Sequence, residues 1–388
     1  MKRFVFTFVL LGLGFLCISM QAEESWSVLK RMTWTNNTSQ LPTIAVDSTN
    51  QLHVIWSEAI GGYGEIFYKS STDSGISWSF SKRLTWNSGD STLPYLAVDS
   101  GDNLHVVWSD DSFGNYEIFH KKSTNGGTSW TAPNRLVWTS GITWQPRIAI
   151  DSGNNLHVVY YDTTPGKSEI YYKKSSNGGT SWSAVKRLTW NSGNSQVPFL
   201  AVDSNNTLHL FWQDGTPGVF EIFYKNSLDG GNTWSGAIRL TWNTNWSMLP
   251  VAAVDTNDDI HLVWRDGATI PSPDAYEIYY RKSTNSGTSW SGLKRLTWNS
   301  GNSTFPWVIT DPADNPTIVW SDQTPGNWEV YFKESSDGGN SWGGLTRLTW
   351  NSGDSLQPII LIDLGSDMHV VWYDDSPGNN EIFYKNRK

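Results

Sequence analysis

A single binding or catalytic centre needs residues that stand apart from their surroundings, and this chain has few of them. Arg147 follows Pro146 where parallel segments carry Thr43, Tyr95, Phe199, Val251, Trp307 and Ile359. Arg265 follows Trp264 where the parallels have Ser, Gln or Tyr, and Asp266 comes next. Extra aromatics break the pattern at Trp144, Trp246, Trp307 and Trp328. These are the candidates for a unique site. A recurring set competes with them: a tryptophan beside an acid, as in Trp108 with Asp110 and Trp212 with Asp214, and a second tryptophan series containing Trp86 and Trp190. Aromatic faces next to carboxylates and loop amides suit sugars, because the rings take the C–H faces and the polar groups take hydroxyls. All ten of Trp86, Trp108, Asp110, Trp144, Trp190, Trp212, Asp214, Trp246, Trp307 and Trp328 are therefore candidate ligand contacts.

The pattern they depart from is a repeat of about 50 residues, which is sought before anything else. Arg31, Arg83, Arg135, Arg187, Arg239, Arg295 and Arg347 each head an Arg-Leu-Thr-Trp-like segment. A proline follows each (Pro42 to Pro358), then an Ile-Ala-Val-Asp-like run, Leu-His-Val-Val-Trp, and Glu-Ile-Phe-Tyr-Lys. Four runs of β-branched and aromatic residues, separated by Gly, Asn, Asp and Ser, predict four short antiparallel strands per unit. No segment has helical periodicity. Sheets of four strands at this period predict an all-β, seven-bladed propeller, which protects its strand edges by closing into a ring.

The termini predict how the ring closes. The chain stops after the third strand of the seventh unit, and Ser25 to Trp34 reads as the missing fourth strand, with Trp26 five residues before Arg31 as Trp78 is before Arg83. Residues 25–34 are thus expected to complete blade seven. Six histidines (His53, His105, His157, His209, His261, His369) occupy equivalent positions. Sevenfold geometry spreads them around the ring, so they are read as hydrogen-bonded structure and no metal site is expected. The seven arginines are expected to pair with blade carboxylates. No cofactor motif is present.

Between the third and fourth strands an octet recurs, Ser-x-Asp/Asn-x-Gly-x-Ser/Thr-Trp. It contains Asp73 and Trp78, Asn125 and Trp130, Asn177 and Trp182, Asp229 and Trp234, Asn285 and Trp290, and Asp337 and Trp342. The acid or amide can bind turn N–H groups, and the glycine permits positive φ. Here the sequence resembles the Asp-box (BNR) repeat of the sialidase-like propellers. That resemblance implies turns on the face away from the active site, so ligands are expected on the opposite face. Family sialidases have six blades, an arginine triad on the substrate carboxylate, a Tyr–Glu pair and an Asp acid/base. Arg147, Arg265 and Asp266 are the only weak matches, and seven near-identical blades depart from that pattern. Some seven-bladed relatives cleave glucans with paired carboxylates. The resemblance therefore implies a binding propeller similar to the seven-bladed bacterial lectins. A sialidase-like glycoside hydrolase and a protein-binding scaffold are the alternatives.

Residues 1–22 read as a signal peptide: Lys2 and Arg3, an apolar run, then Met20-Gln21-Ala22. Cys17, the only cysteine, lies in it. The expected mature chain, 23–388, is one domain, exported to the periplasm or the exterior and without membrane insertion after cleavage. The whole chain carries 28 basic and 37 acidic residues; losing Lys2 and Arg3 leaves 26 and 37, a net of −11. With no basic patch, nucleic acid is not an expected partner; a glycan or a surface protein is.

Overall fold

The computed structural model describes residues 26–267 and 276–388. The expected signal segment and residues 23–25 and 268–275 lie outside them. The described residues form seven four-stranded antiparallel sheets and no helix. Each sheet runs in chain order, as in Ser91–Val98, Leu104–Asp110, Glu117–Ser123 and Asn134–Arg135. The first strands of all seven blades meet around one central cavity. The fourth strands form the outer edge and are only two residues long, well short of the runs the sequence suggested. The ring closes as expected: Lys30 pairs with Tyr384 and Arg31 with Phe383, so the N-terminal strand joins the last blade. The Ser27 N–H donates to the Asn386 carbonyl at 2.7 Å, extending this contact.

The second strand is sandwiched between neighbouring blades and reads as a continuous buried run, seven of seven residues in Leu104–Asp110. Its histidine anchors a relay. His53 Nε2 donates to Asp47 Oδ2 at 3.1 Å, and Nδ1 accepts from the Tyr68 hydroxyl at 2.8 Å. That hydroxyl also lies 3.0 Å from the Gly126 carbonyl in the octet turn of the next blade. The Trp130 ring of that octet packs edge-on against Tyr68 at 5.4 Å. The octet glycine follows from this contact: a Cβ on Gly127 would meet the Tyr68 hydroxyl at 2.1 Å, and its φ is +81°. Within the turn, Asp73 Oδ1 accepts the Ser77 N–H at 2.8 Å, and Ser71 Oγ accepts the Gly75 N–H at 2.9 Å.

One junction lacks these links. Blade six has Thr317 for the histidine and Phe332 for the tyrosine. The blade after it is split by the chain termini and carries no octet for a hydroxyl to bind. A second set of bonds fails at the same place. Elsewhere the backbone N–H after the first strand's aspartate donates to the next blade, as from Ser48 to Asp102 Oδ1 at 2.8 Å. In blade six that position is Pro312, which has no N–H, and its partner position holds Ser366. Instead, Arg387 Nη1 donates to Glu334 Oε2 at 2.9 Å, and its guanidinium lies over Trp26 and Phe332.

Every first strand slips register once around its proline, as between Thr92 and Tyr95 or Trp144 and Arg147. The residue before the proline is left-handed each time, with φ of 51–58° at Leu41, Leu93, Gln145, Val197, Leu249, Phe305 and Gln357. None is glycine, so each costs on the order of 1–3 kcal/mol that the closed ring must hold. The bulge bends the strand. As a result three consecutive residues, such as Leu93, Pro94 and Tyr95, face the cavity, which a straight pleat would forbid.

Candidate functional site

The two tryptophan series behave oppositely. Those ending the second strand are sealed: Trp108 is 1 % and Trp212 0 % exposed. Their indole N–H groups donate to Asp110 Oδ2 at 3.0 Å and Asp214 Oδ2 at 2.9 Å. Asp110 also accepts from Asn87, Ser91 and Ser112, and Asp214 from Asn191, Ser195 and Thr216. Trp108, Asp110, Trp212 and Asp214 are therefore corrected from ligand contacts to buried supports of the top loops. Asp266 joins them. It accepts from Trp264, Ser247 and Asn243, and burial pushes its carboxyl up to about 6.

The fourth-strand series stands at the surface. Trp34, Trp86, Trp138, Trp190, Trp242, Trp298 and Trp350 are each 67–69 % exposed. The first strand begins just beyond them, so they lie towards the face opposite the octet turns. Each has an arginine guanidinium over its ring, and Trp34, Trp86, Trp190, Trp298 and Trp350 also have a lysine. The Arg83 guanidinium is 5.8 Å and the Lys121 ammonium 5.5 Å from the Trp86 ring; for Trp190 the partners are Arg187 and Lys225, both at 5.8 Å. The cations are themselves fixed. Arg83 Nη2 donates to Glu65 Oε1 at 2.6 Å, and its six counterparts bind Glu117, Glu169, Glu221, Glu277, Glu329 and Glu381. Lys225 donates to the Leu188 carbonyl of the preceding blade at 2.7 Å.

The residues that break the repeat do not gather into one site. Trp144 is half-buried against Tyr116 at 4.2 Å, and Tyr116 donates to Asp90 Oδ2 at 2.8 Å. Trp246 is exposed and edge-on to Phe220. Trp328 is half-buried, its backbone N–H held by Asp354. Arg265 is tied to the next blade through Thr304 Oγ1 at 2.9 Å and lies over Tyr276 at 4.5 Å; it does not line the central cavity. Arg147 and Trp307 do line it.

That cavity holds roughly 130 Å³ of water-accessible space and opens to solvent at its mouth. Its wall is Leu, Pro, Val, Ile and Thr with Tyr95, Phe199, Phe305, Trp307, Gln145, Gln357 and Arg147. Trp307 packs edge-on against Phe199 at 5.7 Å and meets Tyr95 across the ring at 6.2 Å. The Arg147 guanidinium lies over Tyr95 at 4.8 Å, and Nη1 donates to the Pro146 carbonyl at 3.1 Å. Burial lowers its pKa. Among the described residues no carboxylate lines the wall. Tyr95, Phe199 and Gln357 were not singled out from the sequence. The signal was there: the position after the proline is the one where the seven repeats differ in size, charge and aromaticity.

Asp363, Asp367 and His369 have ligand atoms within 4.8 Å of one another. Asp363 and His369 are the blade-seven members of the aspartate–histidine relay, joined at 3.1 Å, and Asp367 is the added acid.

No family model and no curated protein matches the chain. Solved structures match in fold. An ulvan lyase of polysaccharide lyase family PL25, bound to -[GlcA(1-4)Rha3S]-, superposes with a TM-score of 0.66 at 9 % identity, covering 90 % of this chain and 93 % of that one. The GH93 α-L-arabinofuranosidase of Fusarium graminearum, bound to arabinobiose, gives 0.56 at 15 %, covering 94 % and 97 %. The NanB sialidase of Streptococcus pneumoniae gives 0.53 at 13 %, covering 93 % of this chain and 70 % of that one. At these identities the likeness is one of fold: the chain is a seven-bladed β-propeller with structural neighbours among sialidases, a polysaccharide lyase and an arabinofuranosidase.

Proposed function

We propose that the protein is an exported, non-catalytic, multivalent carbohydrate-binding propeller. The observation that carries this reading is the ring of seven tryptophans with near-identical exposure, each with an ion-paired arginine over its ring. An indole held from behind by an arginine that is itself ion-paired is rigid before ligand arrives, so little side-chain entropy is lost on stacking a sugar face. Seven weak sites on one body gain avidity against a polymer or a glycan-coated surface. The carbohydrate-active neighbours support a glycan as the ligand class. The carboxylate-free cavity wall weighs against the hydrolase alternative, because glycosidases of both stereochemistries place two carboxyl groups at the cleaved bond. Arg147 and Arg265 do not share that cavity, which weighs against a sialidase-like arginine triad.

The test is a glycan array probed with residues 23–388, followed by calorimetry with the best monosaccharide. The expected result is saturable binding with close to seven sites per chain, and stepwise loss of avidity in Trp86→Ala and Trp190→Ala. Silence across a broad array, with pull-down of one surface protein, would replace this reading with the scaffold.

A further inference from the structure

We propose that the central cavity is a second binding site, independent of the tryptophan rim, and that it takes a small aromatic molecule about one ring in size. The wall sets the character of the ligand. Among the described residues that line it, only Thr43, Gln145, Arg147 and Gln357 are neither apolar nor aromatic. Water held there has few partners, so an apolar ligand displaces it at little cost. The water-accessible space of roughly 130 Å³ sets the size. An apolar protein cavity of about 150 Å³ takes up benzene, so this space matches one ring. The wall is also fixed. Each blade lines it at a proline whose preceding residue is held at positive φ, as at Leu93 and Phe305, and the closed ring holds all seven bulges. A wall that cannot collapse leaves its missing contacts for a ligand to supply.

Two features favour a flat aromatic ring over an aliphatic ring of the same size. Tyr95, Phe199 and Trp307 come from blades two, four and six and converge across the cavity, with Trp307 6.2 Å from Tyr95 and 5.7 Å from Phe199. Trp307 and Phe199 meet edge to face at 80°, an arrangement that a further ring can join through its own edge or face. The second feature is the Arg147 guanidinium, which lies over Tyr95 at 4.8 Å on the same wall, where its charge also attracts the π face of a ligand. Arg147 Nη1 donates to the Pro146 carbonyl, and a guanidinium has five N–H groups, so donors remain for one oxygen carried by the ring. The cavity is also single. The position after the proline carries Thr43, Tyr95, Arg147, Phe199, Val251, Trp307 and Ile359, so its seven side chains build one asymmetric site, whereas the rim repeats one tryptophan seven times.

The experiment is calorimetry on residues 23–388 with phenol, cyclohexanol, p-cresol and N-acetyltyrosinamide as probes. Phenol and cyclohexanol share a ring size and a hydroxyl and differ in aromaticity. Phenol is expected to bind at one site per chain, roughly fivefold tighter than cyclohexanol. Trp307→Leu is expected to remove most of that preference by weakening phenol while cyclohexanol changes little. Cyclohexanol as tight as phenol would overturn the aromatic assignment, and close to seven phenol sites per chain would place the ring on the rim and overturn the cavity. Phenol binding unchanged in Trp307→Leu would also overturn the cavity. N-acetyltyrosinamide as tight as p-cresol would overturn the small-molecule assignment in favour of an aromatic side chain of a docked protein, whereas p-cresol alone is expected to bind. The comparison of probes on the unmodified chain needs no variant to fold.

Discussion

The Asp–His–Tyr relay can be tested against the precedent set by the chain's own blade six. In blade one, Tyr68→Phe removes the hydroxyl shared by His53 Nδ1 and the Gly126 carbonyl. His53 is fully buried, so its ring nitrogen is left unsatisfied at a cost of about 1–3 kcal/mol. His53→Thr leaves a space beside Asp47 and strands the Tyr68 hydroxyl, for about 2–4 kcal/mol. Blade six carries both replacements together, as Thr317 and Phe332. The double variant His53→Thr/Tyr68→Phe should therefore cost at least about 1 kcal/mol less than the sum of the singles. The unfolding entropy is about 2.1 cal/mol/K per residue, or roughly 0.75 kcal/mol/K over about 360 residues. A cost of about 2 kcal/mol then lowers Tm by about 3 °C, which calorimetry resolves. Additivity within about 0.3 kcal/mol would refute the relay as a coupled unit.

Three more expectations follow from the same contacts. Burial holds His53, His105, His157, His261 and His369 below the usual histidine value and His120 at about 3, so the unfolded chain binds more protons below pH ~6.5 and stability falls as pH falls through that window; the Tm drop from pH 7.5 to 5.5 should be smaller in His53→Thr/Tyr68→Phe, and an equal drop would show that His53 is not part of it. Arg387→Ala removes the ion pair to Glu334 and the cover on Trp26 and Phe332, and should cost about 1–3 kcal/mol; hydrogen exchange should then accelerate first along blades six and seven, and uniform acceleration would place the weak junction elsewhere. Deleting residues 23–34 removes the outer strand of blade seven and the Arg31–Glu381 pair, so Tm should fall by several degrees, whereas an unchanged Tm would contradict the closure by Lys30 and Arg31.

Much of this architecture is local and periodic, and so was legible in the chain. Seven Arg-Leu-Thr-Trp-like segments count the blades, turn residues separate four runs in each, and the odd fourth strand at the N-terminus predicts the closure. The arginine–glutamate pairs and the structural role of the histidines also follow from repetition, since one residue per blade cannot converge on one point. The site was less legible. Trp86 and Trp108 look alike in sequence, an aromatic closing a strand, yet one is exposed and the other sealed. The difference is where the strand lies in the sheet. The second strand packs between blades on both faces, while the fourth is an edge with one face open to water. The cavity was hidden for another reason. Tyr95, Arg147, Phe199, Trp307 and Gln357 come from blades two, three, four, six and seven, and only the closed ring, with a bulge in every first strand, makes neighbours of side chains from different repeats.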